Sequence, residues 1–538
     1  MKVPTKCKDD PMECELELVK NAVDRYQAKV GKRIVNTPEI IEIVKILEGF
    51  LRSKRLICYG GIALNNILPK SDQFYDKDIE LPDYDFYSVY AKEDAIELSD
   101  LYYSKGYRDI EAKSAAHAGT YKVYVNFMPI ADITLLPKEL FNNIYKTSII
   151  VDGIRYVNAN FLRMNIYAEL RNPDGDVSRF EKIYKRLILL NKHYPITTNM
   201  NKCNRIEYKR RMVNREKVSL IYNTLLHVFL QNELVFFGGH ALSIYAKYIR
   251  SKYISNQFKI NEPDFDVFSN NPMDIINILQ EKFERLNIPF RFIKHDAIGE
   301  ILNTNYELIV YNDTVGFIYI PEGCYSYNTI HMKGQKINIA SIDTMLFMYF
   351  TFYHINKPYY NPDRILCMTQ LLYKVQVENK YSQHGVLTRF PIKCYGYQPQ
   401  MEEIKSEKAK IYEKLKNDKT SDEYQLYFFK YVPNKNNIST STYTSTNYQK
   451  SVRNPYIKKI SDLPKTTTTT PPESKEQTRH HSYKTPKTSY KKTKTYQKNK
   501  IHFNKKPSPY PSSSSSSSPS TFNKTKKYNG IFELYKKK

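Results

Sequence analysis

Asp83 and Asp85 stand two apart in Leu81-Pro82-Asp83-Tyr84-Asp85-Phe86-Tyr87-Ser88, a stretch that reads as a strand. Period two along a strand puts both carboxylates on one face, with Tyr84 and Phe86 turned to the core. A third acid, Asp132, lies in Pro129-Ile130-Ala131-Asp132-Ile133-Thr134-Leu135-Leu136-Pro137, a second strand ended by a proline. If the two strands are neighbours, three carboxylates meet on one solvent-facing patch. Hard oxygen ligands of this kind suit Mg2+ or Mn2+, with phosphate oxygens completing the shell. Metals so held would activate an attacking hydroxyl and stabilise a leaving pyrophosphate. An isolated D-x-D is more often a solvated strand edge. The chemical reading rests on its combination with the third aspartate and with what lies upstream.

Upstream stands Cys58-Tyr59-Gly60-Gly61-Ile62-Ala63-Leu64-Asn65, a strand running through a glycine pair into a helix. Glycines there let backbone N–H groups approach a triphosphate at the positive helix end. A tight strand–helix turn is the other role such a pair can have. Asn65, one turn along, either reaches the nucleotide or primer, or satisfies nearby backbone. Downstream, Arg179, Lys182 and Arg186 fall at i, i+3 and i+7 of a predicted helix, Ser178 to Leu190, and so form one stripe. That stripe is either a contact to triphosphate or RNA backbone, or a solvated face.

The pattern occurs twice. Phe236-Phe237-Gly238-Gly239-His240-Ala241-Leu242 is followed by Glu262-Pro263-Asp264-Phe265-Asp266-Val267-Phe268-Ser269. Gly61 and Gly239, Asp83 and Asp264, Gly153 and Gly334, and Pro137 and Pro321 match at offsets of 178 to 184 residues. Register kept over such a span indicates duplication of a domain, not a solenoid repeat. Counting back from the prolines sets Asp132 opposite Gly316, so the second copy is expected to lack a third acid unless Glu307 or Asp313 supplies one. Each copy reads as helix, strand, glycine turn, helix and acidic strand, an α/β unit with a mixed sheet. Thr37-Pro38 marks a helix start ahead of Ile40, Ile41, Val44, Leu47 and Leu51. A last helix, Met401 to Leu415, is expected to pack on the second domain.

The chain of 538 residues is 41% apolar, enough for two or three cores, and carries a formal net charge of +26. From Tyr431 onward 23 Lys/Arg face 4 Asp/Glu, so +19 of that charge sits in the tail. Thr466–Thr470 and Ser512–Ser518 are homopolymer runs, and the segment 434–538 is expected to be disordered. Its lysines interleave with Tyr483, Tyr490, Tyr496 and Phe503, which suits unpaired nucleic acid as well as an unspecific soluble tail. Seven scattered cysteines argue against a disulfide framework or zinc site and for a reducing compartment. No leader-like or membrane-length apolar run is present, so no membrane partner is expected.

The glycine pair, the D-x-D and the later single aspartate resemble the nucleotidyltransferase superfamily. More closely, Gly60-Gly61-Ile62-Ala63-Leu64-Asn65, Pro82-Asp83-Tyr84-Asp85-Phe86, Asp132 and the stretch Asp176 to Leu187 resemble the catalytic poly(A) polymerases of large cytoplasmic DNA viruses, the pox-, asfar- and mimivirus-like group. The likeness covers about residues 37 to 400. It implies template-free transfer of AMP from ATP to RNA 3′ ends, in viral mRNA polyadenylation, with Mg2+ or Mn2+. Asp83, Asp85 and Asp132 would be the metal ligands, and Gly60 and Gly61 would cradle the triphosphate, with Asn65, Arg179 and Lys182 as further nucleotide contacts. Ile62 departs from the Ser, Thr or Gly of many superfamily members and removes one hydroxyl contact to phosphate. The implied setting is the host cytoplasm or virion, and the implied partners are the RNA 3′ end and either a second copy or a viral accessory subunit. The expected organisation is a catalytic domain at 1–195, a degenerate nucleotidyltransferase-like domain at 196–433 and a basic tail at 434–538. Two rivals stay open: another template-independent nucleotidyltransferase (uridylyl transfer or oligonucleotide synthesis), and a non-catalytic RNA-binding scaffold.

Overall fold

The computed structural model describes residues 11–434 except 77, 80, 82, 199–202, 204, 205, 207, 209, 210, 253, 255–264 and 333. The tail at 435–538, with its proposed basic–aromatic stretch, lies outside the described residues, as does Asp264. Local signals set the first elements. The Thr37 hydroxyl accepts from the Ile40 N–H and Pro38 takes the first helical position, so α2 runs Pro38–Ser53 after α1, Pro11–Val35. Its buried side is Ile40, Ile43, Leu47, Phe50 and Leu51, while Ile41 faces solvent.

The first lobe then continues as β1 (Ile57–Cys58), α3 (Gly60–Ile67), β2 (Tyr84–Ser88), α4 (Ala91–Ser104), β3 (Ile110–Ser114), β4 (Thr120–Val125), β5 (Met128–Leu135), α5 (Lys138–Lys146), β6 (Ile149–Val151), β7 (Ile154–Tyr156), α6 (Ala159–Leu170) and α7 (Phe180–His193). The second lobe holds α8 (Val218–Gln231), β8 (Val235–Phe237), α9 (Gly238–Tyr245), β9 (Phe265–Phe268), α10 (Pro272–Arg285), β10 (Phe290–His295), β11 (Asn305–Val310), β12 (Asp313–Tyr319), β13 (Tyr325–Met332), β14 (Gln335–Ala340), α11 (Ile342–Ile355) and α12 (Pro362–Glu378). After them come β15 (Cys394–Tyr395), α13 (Met401–Leu415), α14 (Asp422–Phe428) and β16 (Lys430–Tyr431).

The first sheet has the order β3-β4-β5-β2-β1-β7-β6 and the second β10-β11-β12-β9-β8-β14-β13. These are the same order in the same chain sequence, and β2–β5 and β9–β12 are both parallel. The fold is therefore mixed α/β, and the duplication read from the motifs extends to the strand order of both sheets. Each sheet gains one strand of its own: β15 beside β13, and β16 beside β3.

Strand β16 and the helices before it differ from expectation. Lys430 and Tyr431 pair with Lys113 and Ala112 of the first lobe, and Lys408 on α13 reaches the Ala115 carbonyl at 2.9 Å. The segment from Met401 thus returns to the first lobe instead of packing on the second. An amphipathic helix shows that it has a buried face but not which sheet covers it. The cysteines also depart from expectation: Cys203 pairs with Cys367 and Cys324 with Cys394, with Cα atoms 5.6 and 5.3 Å apart. These partners are 164 and 70 residues apart in sequence, so spacing could not reveal them.

The lobes are joined through α6 and α11. Phe161 meets the His354 ring at 5.1 Å, and Tyr167 stacks on Phe350. Buried Arg171 donates to the carbonyls of Glu322 and Cys324 and lies 3.8 Å from the Tyr325 ring. Arg389 pairs with fully buried Asp343 at 2.5 Å and touches the Tyr184 hydroxyl of α7. Breaking such a pair from one side leaves a buried charge and costs about 3–5 kcal/mol.

His354 is enclosed by this junction, and burial pushes its imidazole down to about 3, with a bond to the Asn160 backbone only partly opposing. A depressed histidine is neutral in the fold and charged when unfolded below pH 6.5. It therefore removes stability as pH falls from 6.5 toward 3, at about 1.4 kcal/mol per pH unit. His354→Phe should flatten the loss of stability between pH 6.5 and 4 in urea titrations. Equal pH slopes in variant and wild type would refute this origin.

Candidate active site

The turn from β1 into α3 is shaped by what lies over it. Gly60 has φ +69°, and a Cβ there would stand 2.6 Å from Asp85 Oδ2. A Cβ on Gly61 would collide with the Tyr75 hydroxyl and lie 3.3 Å from Arg186 Nη1. The glycine pair thus lets one carboxylate, one phenol and one guanidinium close on the first turn of α3. That turn also presents backbone N–H groups lacking helical partners.

Strand register brings the acids together. Cys58 lies opposite Phe86, the Tyr59 N–H donates to the Asp85 carbonyl at 2.9 Å, and Asp85 is the direct neighbour of Asp132 across the parallel pair. Asp83 immediately precedes β2, two residues from Asp85 and on the same face. Asp83 is exposed and Asp85 partly buried. Burial, then the charge of Asp132, raises the Asp83 carboxyl; burial, then the charges of Asp83 and Asp132, raises Asp85 well above the usual range. Lys122, opposite Asp132 in the antiparallel β4–β5 pair, forms an ion pair with it. Burial lowers the Lys122 amine, but its bond to Asp132 and the charges of Asp132 and Asp83 outweigh this and hold it above its ordinary value. Three clustered hard-oxygen donors are a donor set that suits Mg2+ or Mn2+.

Asn65 is fully buried, and its carboxamide oxygen accepts from the N–H groups of both Phe74 and Tyr75 at 2.8 Å. Of the two roles open to it, the structure shows the backbone one: it holds the segment that places Tyr75 over Gly61. Tyr75 in turn bonds Arg186 Nη2 at 2.8 Å, and the guanidinium lies 4.6 Å from the Phe74 ring. Arg179 is exposed and pairs with Glu169 at 3.0 Å. Its charge reaches Asp85. Lys182 is exposed, and its charge, with those of Arg179 and Arg186, acts on Glu169, whose carboxyl burial nevertheless raises. Lys185 turns away to pair with Glu181. Lys122, Tyr75 and Glu169 had no motif to announce them; only the register of β4 and the packing of α6 and α7 bring them to the site.

The second lobe repeats the scaffold without the acid set. Gly238 has φ +64°, and a Cβ there would collide with the Asp266 carboxylate, as at Gly60 and Asp85. The residue opposite Asp266 is Phe317, however, not Gly316. Counting from the proline misplaced it because four residues separate Asp132 from Pro137 and three separate Phe317 from Pro321. Gly316 instead lies against the Phe265 carbonyl, where a Cβ would stand at 2.9 Å. Neither substitute acid faces Asp266 directly. Glu307 sits across from Phe317, engaged by His295 at 3.0 Å and by Thr314, and Asp313 accepts from the Asn214 N–H.

If Lys122 neutralises the cluster, Lys122→Met should lower the melting temperature of the metal-free protein by several degrees. It should also enlarge the gain produced by Mn2+, since the cation then meets no competing amine. Identical Mn2+-induced shifts in variant and wild type would rule that role out.

Residues 45–176 match the family model for the poly(A) polymerase catalytic subunit. A protein of African swine fever virus (isolate Pig/Kenya/KEN-50/1950) named "Putative poly(A) polymerase catalytic subunit" is 31% identical over 216 residues, 38% of this chain and 45% of that protein. One of the same name from Acanthamoeba polyphaga mimivirus is 33% identical over 176 residues, 31% of this chain and 30% of that protein. The chain thus spans less than half the length of these relatives. The crystal structure of the Megavirus polyadenylate synthase superposes with a TM-score of 0.66 at 19% identity, covering 86% of this chain and 91% of that one, which establishes a common fold. The matched region, residues 45–176, takes in the glycine pair and all three aspartates.

Proposed function

We propose that the chain is a template-independent poly(A) polymerase that transfers AMP from ATP to RNA 3′ ends in the first lobe. The reading rests on one observation above the others: Asp85 and Asp132 are paired across parallel strands beside the first turn of a helix that opens on two glycines. Asp83, Asp85 and Asp132 would hold Mg2+ or Mn2+, which when bound would make the RNA 3′ hydroxyl a better nucleophile and offset charge on the departing pyrophosphate.

The chain's own residues do the remainder. Gly60 and Gly61 let Asp85, Tyr75 and Arg186 approach the first turn of α3, where the N–H groups favour phosphate. Arg179, Lys182 and Arg186 add positive charge beside it, with Glu169 holding Arg179 in place. Tyr75 fixes the Arg186 guanidinium against α3, so its hydroxyl acts through that arginine. Lys122 keeps Asp132 aligned with its neighbours and shields the acids from one another. In the second lobe Phe317 offers no ligand where Asp132 stands, and that lobe is proposed to serve the RNA path and the rigidity of the first. The relatives bear the names of viral catalytic subunits, so transcript tailing in an infected cell is the proposed setting, with RNA and a second subunit as partners. No helix among the described residues is long and apolar enough to cross a membrane.

Primer extension separates the lobes. Asp132→Asn should lower ATP-dependent extension of unstructured RNA by at least about a hundredfold, while Asp266→Asn should stay within a few-fold of wild type. Loss in the second variant alone would reverse the assignment. Preferred use of UTP in a four-nucleotide panel would favour uridylyl transfer, and RNA binding without turnover of any nucleotide would favour the scaffold. Tyr75→Phe should raise the KM for ATP several-fold with kcat little changed, because it loosens Arg186 without removing charge. A change confined to kcat would assign Tyr75 elsewhere.

A further inference from the structure

Three metal-ligating side chains meet outside the site of the clustered acids. The Asp174 carboxylate and the sulfurs of Cys324 and Cys394 all lie within 4.8 Å of one another. Asp174 belongs to the turn Asn172-Pro173-Asp174-Gly175 between α6 and α7, closed by the Gly175 N–H on the Asn172 carbonyl at 3.2 Å. Proline in second place and glycine in fourth are the residues such a turn favours. Cys324 stands just ahead of β13, and Cys394 opens β15. Register sets Ser326 opposite Cys394 and Tyr325 opposite Tyr395, so the two cysteines are diagonal neighbours on one face. They are 70 residues apart in sequence, and no spacing motif announces them.

The bond between the sulfurs is not what assembles the three groups. Gly396, with φ +101°, lets its segment come down on the Gly323 carbonyl, with which a Cβ would collide. The Asn172 carboxamide donates to Gln398 Oε1 at 2.8 Å, and Gln400 Nε2 donates to the Asp174 carbonyl at 3.1 Å. The Ser326 N–H donates to the Arg171 carbonyl at 2.9 Å. These contacts pin the turn, β13 and β15 together whether or not the sulfurs are joined. Cys324 is buried, Cys394 half-buried and Asp174 exposed, so the cluster is closed on its sulfur side and open to solvent at the carboxylate. Cys394 Sγ lies 3.6 Å from Asp174 Oδ2. That matches two corners of a tetrahedron whose centre is about 2.0–2.3 Å from each ligand atom, the dimensions of a zinc site.

We propose that Cys324 and Cys394, once reduced, hold a zinc ion together with Asp174, with water in the fourth position. Two thiolates select zinc over the hard cations that suit Asp83, Asp85 and Asp132. Reduction by a phosphine breaks the S–S bond, and water gives one hydrogen to each sulfur and its oxygen to phosphorus. A dithiol does the same by exchange and ends as a disulfide itself. Zn2+ then displaces both thiol protons. The S–S bond joins only the segments of β13 and β15, whereas the ion ties both of them to the α6–α7 turn.

The test uses the full chain in a phosphine, with Zn2+ alone or Co2+ alone as the probe. After dialysis, reduced wild type should retain one zinc more than reduced Cys394→Ser. Co2+ should give the near-ultraviolet absorption of a thiolate-bound metal, lost in Cys394→Ser and kept in Cys203→Ser. Asp174→Asn, at an exposed position, should leave the metal-free melting temperature unchanged. It should raise the zinc dissociation constant by at least about tenfold, the least that loss of a supporting contact costs a metal site. Asp174→His, which keeps a ligand, should restore binding. Equal zinc content in wild type and Cys394→Ser would overturn the proposal. So would cobalt absorption lost in Cys203→Ser instead, zinc affinity indifferent to Asp174→Asn, or the same uptake by the oxidised chain.

Discussion

Mutual repulsion among Asp83, Asp85 and Asp132 is the constraint around which the first lobe is arranged. Parallel pairing of β2 with β5 forces Asp85 beside Asp132, and partial desolvation together with the neighbouring negative charges raises Asp83 and Asp85. The fold answers with Lys122 on the adjoining strand and with the first turn of α3 closing over Asp85. The second of these depends on glycine at position 60, because a larger residue would strike the carboxylate.

The second lobe shows which part of this arrangement belongs to folding and which to chemistry. It retains the strand order, the left-handed glycine before its helix and the aspartate packed on that glycine. Those features therefore serve the β–turn–α geometry itself. What it has replaced is the opposite strand position, where Phe317 stands and joins an aromatic group with His295 and Tyr359. An aromatic ring there leaves Asp266 without a second carboxylate opposite it and packs as ordinary core.

The two lobes are held as one body by the α6–α11 contact, by the carbonyl bonds of Arg171 and by the Arg389–Asp343 pair, while the chain after the second lobe returns to add β16 to the first sheet. Tyr184, which Arg389 touches, lies on α7, the helix that also carries Arg186 to the glycine turn. Packing at the junction and the position of a cation at the site are thus set by one rigid element.

Much of this was legible in the residues alone. The glycine pairs, the D-x-D, Asp132 and the 178–184 residue offsets specified two α/β lobes and the three acids, because strand alternation and glycine turns are local rules that a linear text preserves. The place of Phe317, the service of Asn65 to backbone, the ion pair of Lys122, the disulfides and the return of β16 were decided by the tertiary structure. Each depends on strand register or on contacts between residues tens to hundreds of positions apart, and a shift of one residue in a strand changes which side chain faces the site. Sequence determined which groups could do the chemistry; only the packed sheets determined which of them meet.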